Sequence, residues 1–300
     1  MKICVTGGAG YIGSHLVSNL IFQGHQVTVV DNLDNGNRIH PRCRFFSHDV
    51  REINDVEQEL EGTEVFFHLA ADKRAASTDY YDMVSSNVAG TTAVLEVAKK
   101  VGTRRVVLSS SCAVYTKEMY EKGVVSEKDA DSNRGYQQNI YGLSKLMCED
   151  VCKFMSDKTM SVVSLRYFNV WGGQYLNSAP VHKSVIEIFL DKAKKKEPIM
   201  IYGDGSIVRD YVHVDDVVNA NLLAMDHETR SGATTFNICN GMGTTVLEIA
   251  NMVCGEGYEK INMPARDNEL PWCIGSNHLA GAELGWKPKH TIEELASLRI

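Results

Sequence analysis

Short apolar runs alternate with stretches whose apolar residues recur every three or four positions, and this order persists to about residue 173. Residues 2–6, KICVT, read as a buried strand. Leu16, Val17, Leu20 and Ile21 then recur at helical spacing until Gly24 stops the helix. A second strand over 27–30 ends at Asp31, and a third is predicted over 43–50. A short helix carries Val56 and Leu60 and closes at Gly62. Residues 64–71, EVFFHLAA, are almost wholly apolar, as in a strand covered on both faces. A long helix is predicted over about 82–101, then a fifth strand over 105–108 running into Ser109, Ser110 and Ser111. A helix over 141–156 and a sixth strand over 161–166 complete the series.

Strands alternating with helices this regularly predict an α/β, Rossmann-like doubly wound parallel sheet. Residues 116–140 interrupt the rhythm with a polar connection. A substrate-covering loop and a solvated insertion fit it equally. Past Gly173 the pattern turns mixed. Val185, Ile186, Phe189 and Leu190 predict a helix, 199–202 a strand, and Thr245/Glu248 and Thr291/Glu294 two helix-opening capping boxes. The basic run from Lys192 to Lys196 reads as a solvated helix end. The expected division is a dinucleotide domain over 1–168 with a return segment at about 208–240. A smaller C-terminal mixed α/β substrate-binding portion takes 169–207 and 241–300.

Composition narrows the function classes. The 300 residues are 44% apolar and 23% charged, with a net charge of −7. That acidity argues against nucleic acid or an anionic membrane as partner. No apolar run approaches the ~18 residues that span a bilayer, and Met1 leads straight into the first strand. Eight cysteines include no C-x-x-C pair, and several sit in apolar runs. They read as reduced core residues of a cytoplasmic protein, and no metal site is expected.

The chemistry begins at residues 6–13, TGGAGYIG. Strand, glycine turn, helix, strand and acid is the context that makes a glycine pattern a dinucleotide site. Gly7 or Gly8 permits the tight turn, Gly10 lets the backbone approach a pyrophosphate, and Gly13 lets helix and strand pack closely. The helix start offers free N–H groups to phosphate. Asp31 at the end of the second strand would accept both ribose hydroxyls of NAD and repel the 2′-phosphate of NADP. Asp49 at the third strand's end is a candidate for the adenine edge.

Tyr141 and Lys145 stand four apart at a helix start, so their side chains share a face. None of the other eleven of twelve tyrosines has a Lys at that spacing. A phenol of reference pKa ~10 is a poor base at neutral pH, and a nearby ammonium plus a positive nicotinamide ring would lower it. Tyr141 could then take a hydroxyl proton as hydride leaves the same carbon for NAD. Ser111 would hold that oxygen; Ser109 and Ser110 read as structural.

TGGAGYIG, Asp31, FHLAA (67–71), NVAGT (87–91), LSSS (108–111), YGLSK (141–145), LRYFNVWG (165–172), YGDGSIVRDYVHVDDV (202–217) and LGWKPKHTIEEL (284–295) together resemble the extended short-chain dehydrogenase/reductase family. More narrowly they are similar to its nucleotide-sugar epimerases and dehydratases, and the resemblance spans essentially the whole chain. It implies NAD contacts at Gly7, Gly10, Tyr11, Ile12, Gly13, Asp31, Asn32, Asp49, Val50, Leu69, Ala70, Ala71, Lys73, Asn87, Tyr141, Lys145 and Tyr167. It implies catalysis by Ser111, Tyr141 and Lys145. For a nucleotide-diphosphate sugar it implies Lys73, Ser111, Tyr141, Asn169, Arg209, Arg266, Glu269 and Cys273. Arg209 and Arg266 would grip the diphosphate, Asn169 would contact the sugar-phosphate linkage, and Glu269 the nucleoside ribose. Guanidinium forks suit a diphosphate better than ammonium points, although Arg209 could instead simply pair with Asp210. A homodimer through the helices at 82–101 and 141–156 is also implied.

The resemblance further narrows the reaction. Family dehydratases place Asp-Glu directly after the catalytic Ser or Thr, whereas Cys112 and Ala113 stand here. Family decarboxylases keep a Glu that Ala113 replaces, and the reductases with a Ser-Cys arrangement prefer NADP, against Asp31. The remaining expectation is 4-epimerisation: a transient 4-keto sugar rotates and takes its hydride back on the other face. Another family chemistry (5-epimerase, 4,6-dehydratase or reductase) and a non-catalytic NAD-binding regulator are the alternatives. Cys273 falls where relatives carry either a bulky Tyr or a small residue, and a small one would leave room for a 2-acetamido group. Thr116, Trp171 and Gly173 depart from the family's usual Gly, Tyr and Pro, all near the sugar.

Overall fold

The computed structural model describes residues 1–74, 78–132, 137–173, 184–227, 232–266 and 269–298. The chain begins β1 (Lys2–Thr6), α1 (Tyr11–Phe22), β2 (Gln26–Asp31), β3 (Arg44–Ser47), a 3-10 helix Val50–Leu60, and β4 (Val65–His68). Helices α2 (Tyr80–Val84) and α3 (Gly90–Lys100) are joined by a π-helical turn, Ser85–Ala89. Then come β5 (Arg105–Ser111), α4 (Lys117–Tyr120), α5 (Glu127–Ser132), α6 (Ile140–Met155), β6 (Ser161–Tyr167) and β7 (Asn169–Trp171). The last part holds α7 (Val185–Lys195), β8 (Ile199–Tyr202), β9 (Val208–His213), α8 (Val214–Asp226) and β10 (Ala233–Ile238). It ends with β11 (Gly243–Thr245), α9 (Val246–Cys254), β12 (Lys260–Met263), β13 (Trp272–Cys273) and a 3-10 helix Ile292–Leu298.

The main sheet has the order β10-β6-β5-β4-β1-β2-β3, with every pairing parallel. Helices cover both faces. One apolar cluster packs α1 and α8 against the sheet through Leu16, Leu20, Val217 and Ala224. The other packs α3, α6 and the first 3-10 helix through Ile53, Leu95, Ala98 and Cys152. Strand order reverses between β1 and β4, so the crevice at their C-terminal ends is where such a sheet takes its ligand.

The smaller portion is built on β9, flanked by β11 (antiparallel) and β13 (parallel) and also paired with β7. Its core of Phe189, Ile201, Tyr211, Ile249 and Leu295 lies between α7 and α9. The return segment expected at 208–240 therefore rejoins the main layer only from α8 onward, because 208–213 pairs within the second sheet.

Local differences from the sequence reading have local causes. The third strand stops at Ser47 because the Asp49 side chain accepts the Arg51 N–H and starts the 3-10 helix. The helix around 82–101 carries a π turn holding Asn87. The described residues of the 116–140 connection pack inward in part, unlike a solvated insertion. Met119, Tyr120, Val125 and Glu127 are buried, Trp272 Nε1 donates to Tyr120 O (2.8 Å), and Val125 N–H donates to Ile274 O (3.1 Å). Thr245 and Glu248 cap α9 reciprocally as expected, whereas the Thr291/Glu294 pair opens a 3-10 helix.

Candidate active site

The glycine turn between β1 and α1 is too tight for a side chain at Gly7, and the helix behind it is too close for one at Gly13. Gly7 has φ +72°, and a Cβ there would lie 2.5 Å from Ala70 N and 2.7 Å from Leu69 C. A Cβ on Gly13 would lie 2.1 Å from Gly7 O, so the helix can rest on the turn only without one. Gly10 caps α1 without a side-chain hydrogen bond, leaving the helix start to a ligand. Asp31 is buried and accepts from Ala9 N (2.9 Å) and Leu33 N (2.8 Å). Burial pushes its carboxyl above the usual range, and those N–H groups oppose the push. A cradle with no room for a side chain at Gly7 or Gly13, an open helix start and a carboxylate on its rim fit NAD.

The other residues expected at the dinucleotide divide. Ile12 packs on the core, and Tyr11 donates its hydroxyl to Gly172 O (2.6 Å), tying the glycine turn to the segment after β7. Asn32 donates to Asp34, and Asp49 is held by Arg51 at 2.6 Å, which pulls its carboxyl down. Val50 and Tyr167 are committed to packing, Tyr167 with its hydroxyl on Asn221 (2.9 Å). Leu69, Ala70 and Ala71 follow β4 half-buried along the cradle. Lys73 crosses toward the smaller portion, where Glu187 of α7 is its opposing charge.

Ser111 ends β5, and Tyr141 lies in the first turn of α6. Their side chains hydrogen-bond to one another, and burial pushes the Tyr141 phenol up to about 12, with that bond the chief opposing influence. Ser111 Oγ also accepts Ala113 N–H at 3.2 Å. Lys145 is buried and donates to Ser109 O (2.7 Å), with its ammonium 5.9 Å from the Tyr141 ring centroid. The ammonium is therefore held on the end of β5, beside the phenol.

Several further residues hold this set, and of these the sequence did not single out Gly142, Glu149 or Arg166. A Cβ on Gly142 would sit 2.1 Å from Ala113 O, so only glycine lets α6 approach the turn after Ser111 this closely. The π turn turns Asn87 inward. Its amide accepts from Asp72 N (2.7 Å) and donates to Asp72 O (2.9 Å) and Ser144 Oγ (2.9 Å). Asn87 therefore positions the strand-end loop that leads to Lys73. Behind β5, Glu149 receives Ser110 Oγ at 2.5 Å and the Arg166 guanidinium at 2.9 and 2.7 Å, all buried. Ser110 is thus held by its hydroxyl in the buried layer behind β5.

On the substrate side, Arg209 in β9 donates to Val208 O, Leu270 O and Glu269 Oε1 (3.4 Å). Glu269 Oε2 is buried with no hydrogen-bond partner among the described residues, an acceptor available to a sugar hydroxyl. Asp210 does not pair with Arg209. It accepts N–H groups of Asn240 (2.7 Å), Gly241 (2.9 Å) and Gly275 (3.4 Å). Asn169 donates to Asp210 O at 3.1 Å. Arg266 is exposed and lies 4.1 Å over the Tyr202 ring. Cys273 is paired in register with Arg209 but buried. Its thiol meets Tyr120 Oη at 2.7 Å, and that hydroxyl donates to Cys112 O at 3.3 Å. Tyr120, from the connection whose role the sequence left open, thus lies beside the small residue at 273.

Together the fold and this set define a dinucleotide-dependent enzyme acting on a hydroxyl carbon. Residues 3–239 match the model of the NAD dependent epimerase/dehydratase family, and the chain belongs to that family, with NAD as its cofactor. It is 35% identical over 320 residues to a UDP-glucose 4-epimerase of Streptococcus mutans, covering 96% of this chain and 92% of that protein. Its structure is similar to that of UDP-glucose 4-epimerase from Thermotoga maritima with UDP-glucose. The TM-score is 0.87 at 32% identity, covering 99% of this chain and 97% of the other. It is also similar to UDP-N-acetylglucosamine 4-epimerase from Methanobrevibacter ruminantium in complex with UDP-N-acetylmuramic acid. There the TM-score is 0.87 at 25% identity, covering 99% and 96%.

Proposed function

We propose that the protein is a nucleotide-sugar 4-epimerase that interconverts C4 epimers of UDP-hexoses, with or without a 2-acetamido group. The observation carrying this reading is the Ser111–Tyr141 hydrogen bond at the crevice, with Cys112 and Ala113 standing where a dehydratase needs an acid and a base. The glycine turn and Asp31 would hold NAD, which would supply a hydride acceptor and donor for C4, so that the cycle has no net redox change. Tyr141 removes the 4-OH proton and later gives it back, Ser111 orients that oxygen, and buried Lys145 supplies positive charge 5.9 Å from the Tyr141 ring. Arg209 and Glu269 hold the nucleotide while the sugar turns; Asn169 and Lys73 flank it. Residues 1–168 with the return segment bind NAD, and the remainder binds the sugar nucleotide.

A homodimer fits the face shared by α2, α3 and α6, which leaves Tyr80, Tyr81, Leu143 and Phe154 exposed. All eight cysteines are free thiols, which supports a cytoplasmic location. No helix among the described residues is long and apolar enough to cross a membrane.

The test is incubation with UDP-, dTDP- and GDP-sugars and resolution of products by NMR. An equilibrium mixture of C4 epimers from UDP-glucose and UDP-N-acetylglucosamine is expected. A 4-keto product, or no turnover of any UDP-hexose, overturns the proposal, and turnover of unsubstituted hexoses alone overturns the 2-acetamido part.

A further inference from the structure

Two thiols that sugar turnover leaves unused meet beside Ser111. Cys112 follows Ser111 directly and opens a 3-10 turn, Cys112–Val114, at the end of β5. Cys273 lies in β13 of the smaller portion, in register with Arg209 of β9. The two side chains hydrogen-bond to one another, although they come from different portions of the chain. Tyr120 closes the group. Its Oη is 2.7 Å from Cys273 Sγ and donates to Cys112 O at 3.3 Å.

The two thiols are not alike. The hydrogen bond with Cys112 pulls the Cys273 thiol below its ordinary value against burial, with Tyr120 and the Arg209 cation acting the same way. The Cys112 thiol is pushed up by that same bond and by burial. Burial also pushes Cys4, Cys43, Cys148, Cys152 and Cys239 up, so none of them resembles Cys273. The thiolate is the form that attacks an oxidant, and a second thiol in contact converts the first product into a disulfide. Cys112 is half-buried and Cys273 buried, so only a small oxidant suits the pair.

We propose that Cys112 and Cys273 form a peroxide-responsive disulfide that switches the enzyme off reversibly. The Cys273 thiolate attacks one oxygen of hydrogen peroxide, the O–O bond breaks, and a sulfenic acid forms as hydroxide leaves. The Cys112 sulfur then attacks the Cys273 sulfur. Its proton leaves with the displaced hydroxyl as water, and the S–S bond forms. In sum, two thiols lose two electrons and one hydrogen peroxide becomes two waters. A dithiol reverses the change by exchange. The bond would join the turn after Ser111 to the strand beside Arg209, fixing the two portions between which the sugar has to turn. The loss of turnover rests on the epimerase reading; formation of the bond does not.

The test treats the NAD-loaded full chain with hydrogen peroxide, blocks the remaining thiols and maps proteolytic peptides by mass spectrometry. A peptide joining Cys112 to Cys273, lighter by two hydrogens than its parts, is expected. UDP-hexose turnover should be lost with it, and dithiothreitol should restore both. In Cys112→Ser and in Cys273→Ser, each compared with its own untreated activity, the dithiothreitol-reversible loss should disappear. Absence of that joined peptide overturns the inference. So does full turnover by the joined form, or a reversible loss that survives in both variants. A joined peptide in a protein that turns over no UDP-hexose keeps the disulfide and removes the epimerase reading.

Discussion

Lys145 places its ammonium on the carbonyl oxygen of Ser109 at 2.7 Å, not on the phenol of Tyr141. The lysine thus fixes α6 against the end of β5 while bringing buried positive charge near the reacting groups. Replacing Tyr141 with Phe removes the proton carrier and leaves this scaffold intact. Turnover of a UDP-hexose should fall about 10²- to 10⁴-fold, the range of a lost general acid–base group. NAD content, read by absorbance of the denatured protein, should stay at the wild-type level. Unchanged turnover in that variant would remove Tyr141 from the mechanism.

Gly142 sets the distance between the two catalytic side chains. A Cβ at 142 would sit 2.1 Å from Ala113 O, a backbone atom that cannot swing aside. Gly142→Ala should therefore push the start of α6 away from the turn after Ser111 and stretch the Ser111–Tyr141 hydrogen bond. A displacement of about 1 Å at a reacting group costs on the order of 10² in rate. Steady-state kinetics should show kcat reduced by that order with NAD still bound. A variant with wild-type kcat would show that α6 can shift without disturbing the pair.

Arg209 forks across Val208 O, Leu270 O and the Glu269 carboxylate. An ammonium cannot reproduce that planar set and still face a diphosphate. Arg209→Lys should raise KM for the sugar nucleotide roughly tenfold or more, about 1.4 kcal/mol of lost binding, with kcat close to wild type. An equal fall in kcat with KM unchanged would instead give Arg209 a role in the reaction step.

The same residue shows where sequence reading ran out. Beside a diphosphate, the sequence left open an ion pair of Arg209 with the adjacent Asp210. In a strand, however, successive side chains point to opposite faces, and β9 sends Asp210 into the backbone of 240–275 while Arg209 meets Glu269. The glycine turn, Asp31, Ser111, Tyr141 and the parallel sheet were legible because local spacing encodes them. The partners of β9, the burial of Tyr120 against Cys273 and the inward turn of Asn87 were not. They depend on pairings between segments far apart and on a single π turn. Gly142 stood inside a quoted motif, but its importance appears only once Ala113 O lies above it.

Asp210 also yields a pH dependence. Its carboxyl is fully buried, and desolvation pushes its pKa up from 3.8 to about 6 against three N–H donors. A folded pKa raised above the unfolded one means its stabilising contribution is complete below about 3.8 and lost as pH rises through about 6. Asp210→Asn is neutral throughout and does not titrate. The stability difference, wild type minus variant, should therefore shrink between pH 4 and pH 7 by up to about 3 kcal/mol. Carboxyls lowered by pairing, such as Asp49 with Arg51, act in the opposite direction in both proteins and cancel in the difference. Urea unfolding at pH 4, 5, 6 and 7 measures it, and a gap that is flat or widens over that window would mean the carboxylate is better compensated when ionised than its burial implies.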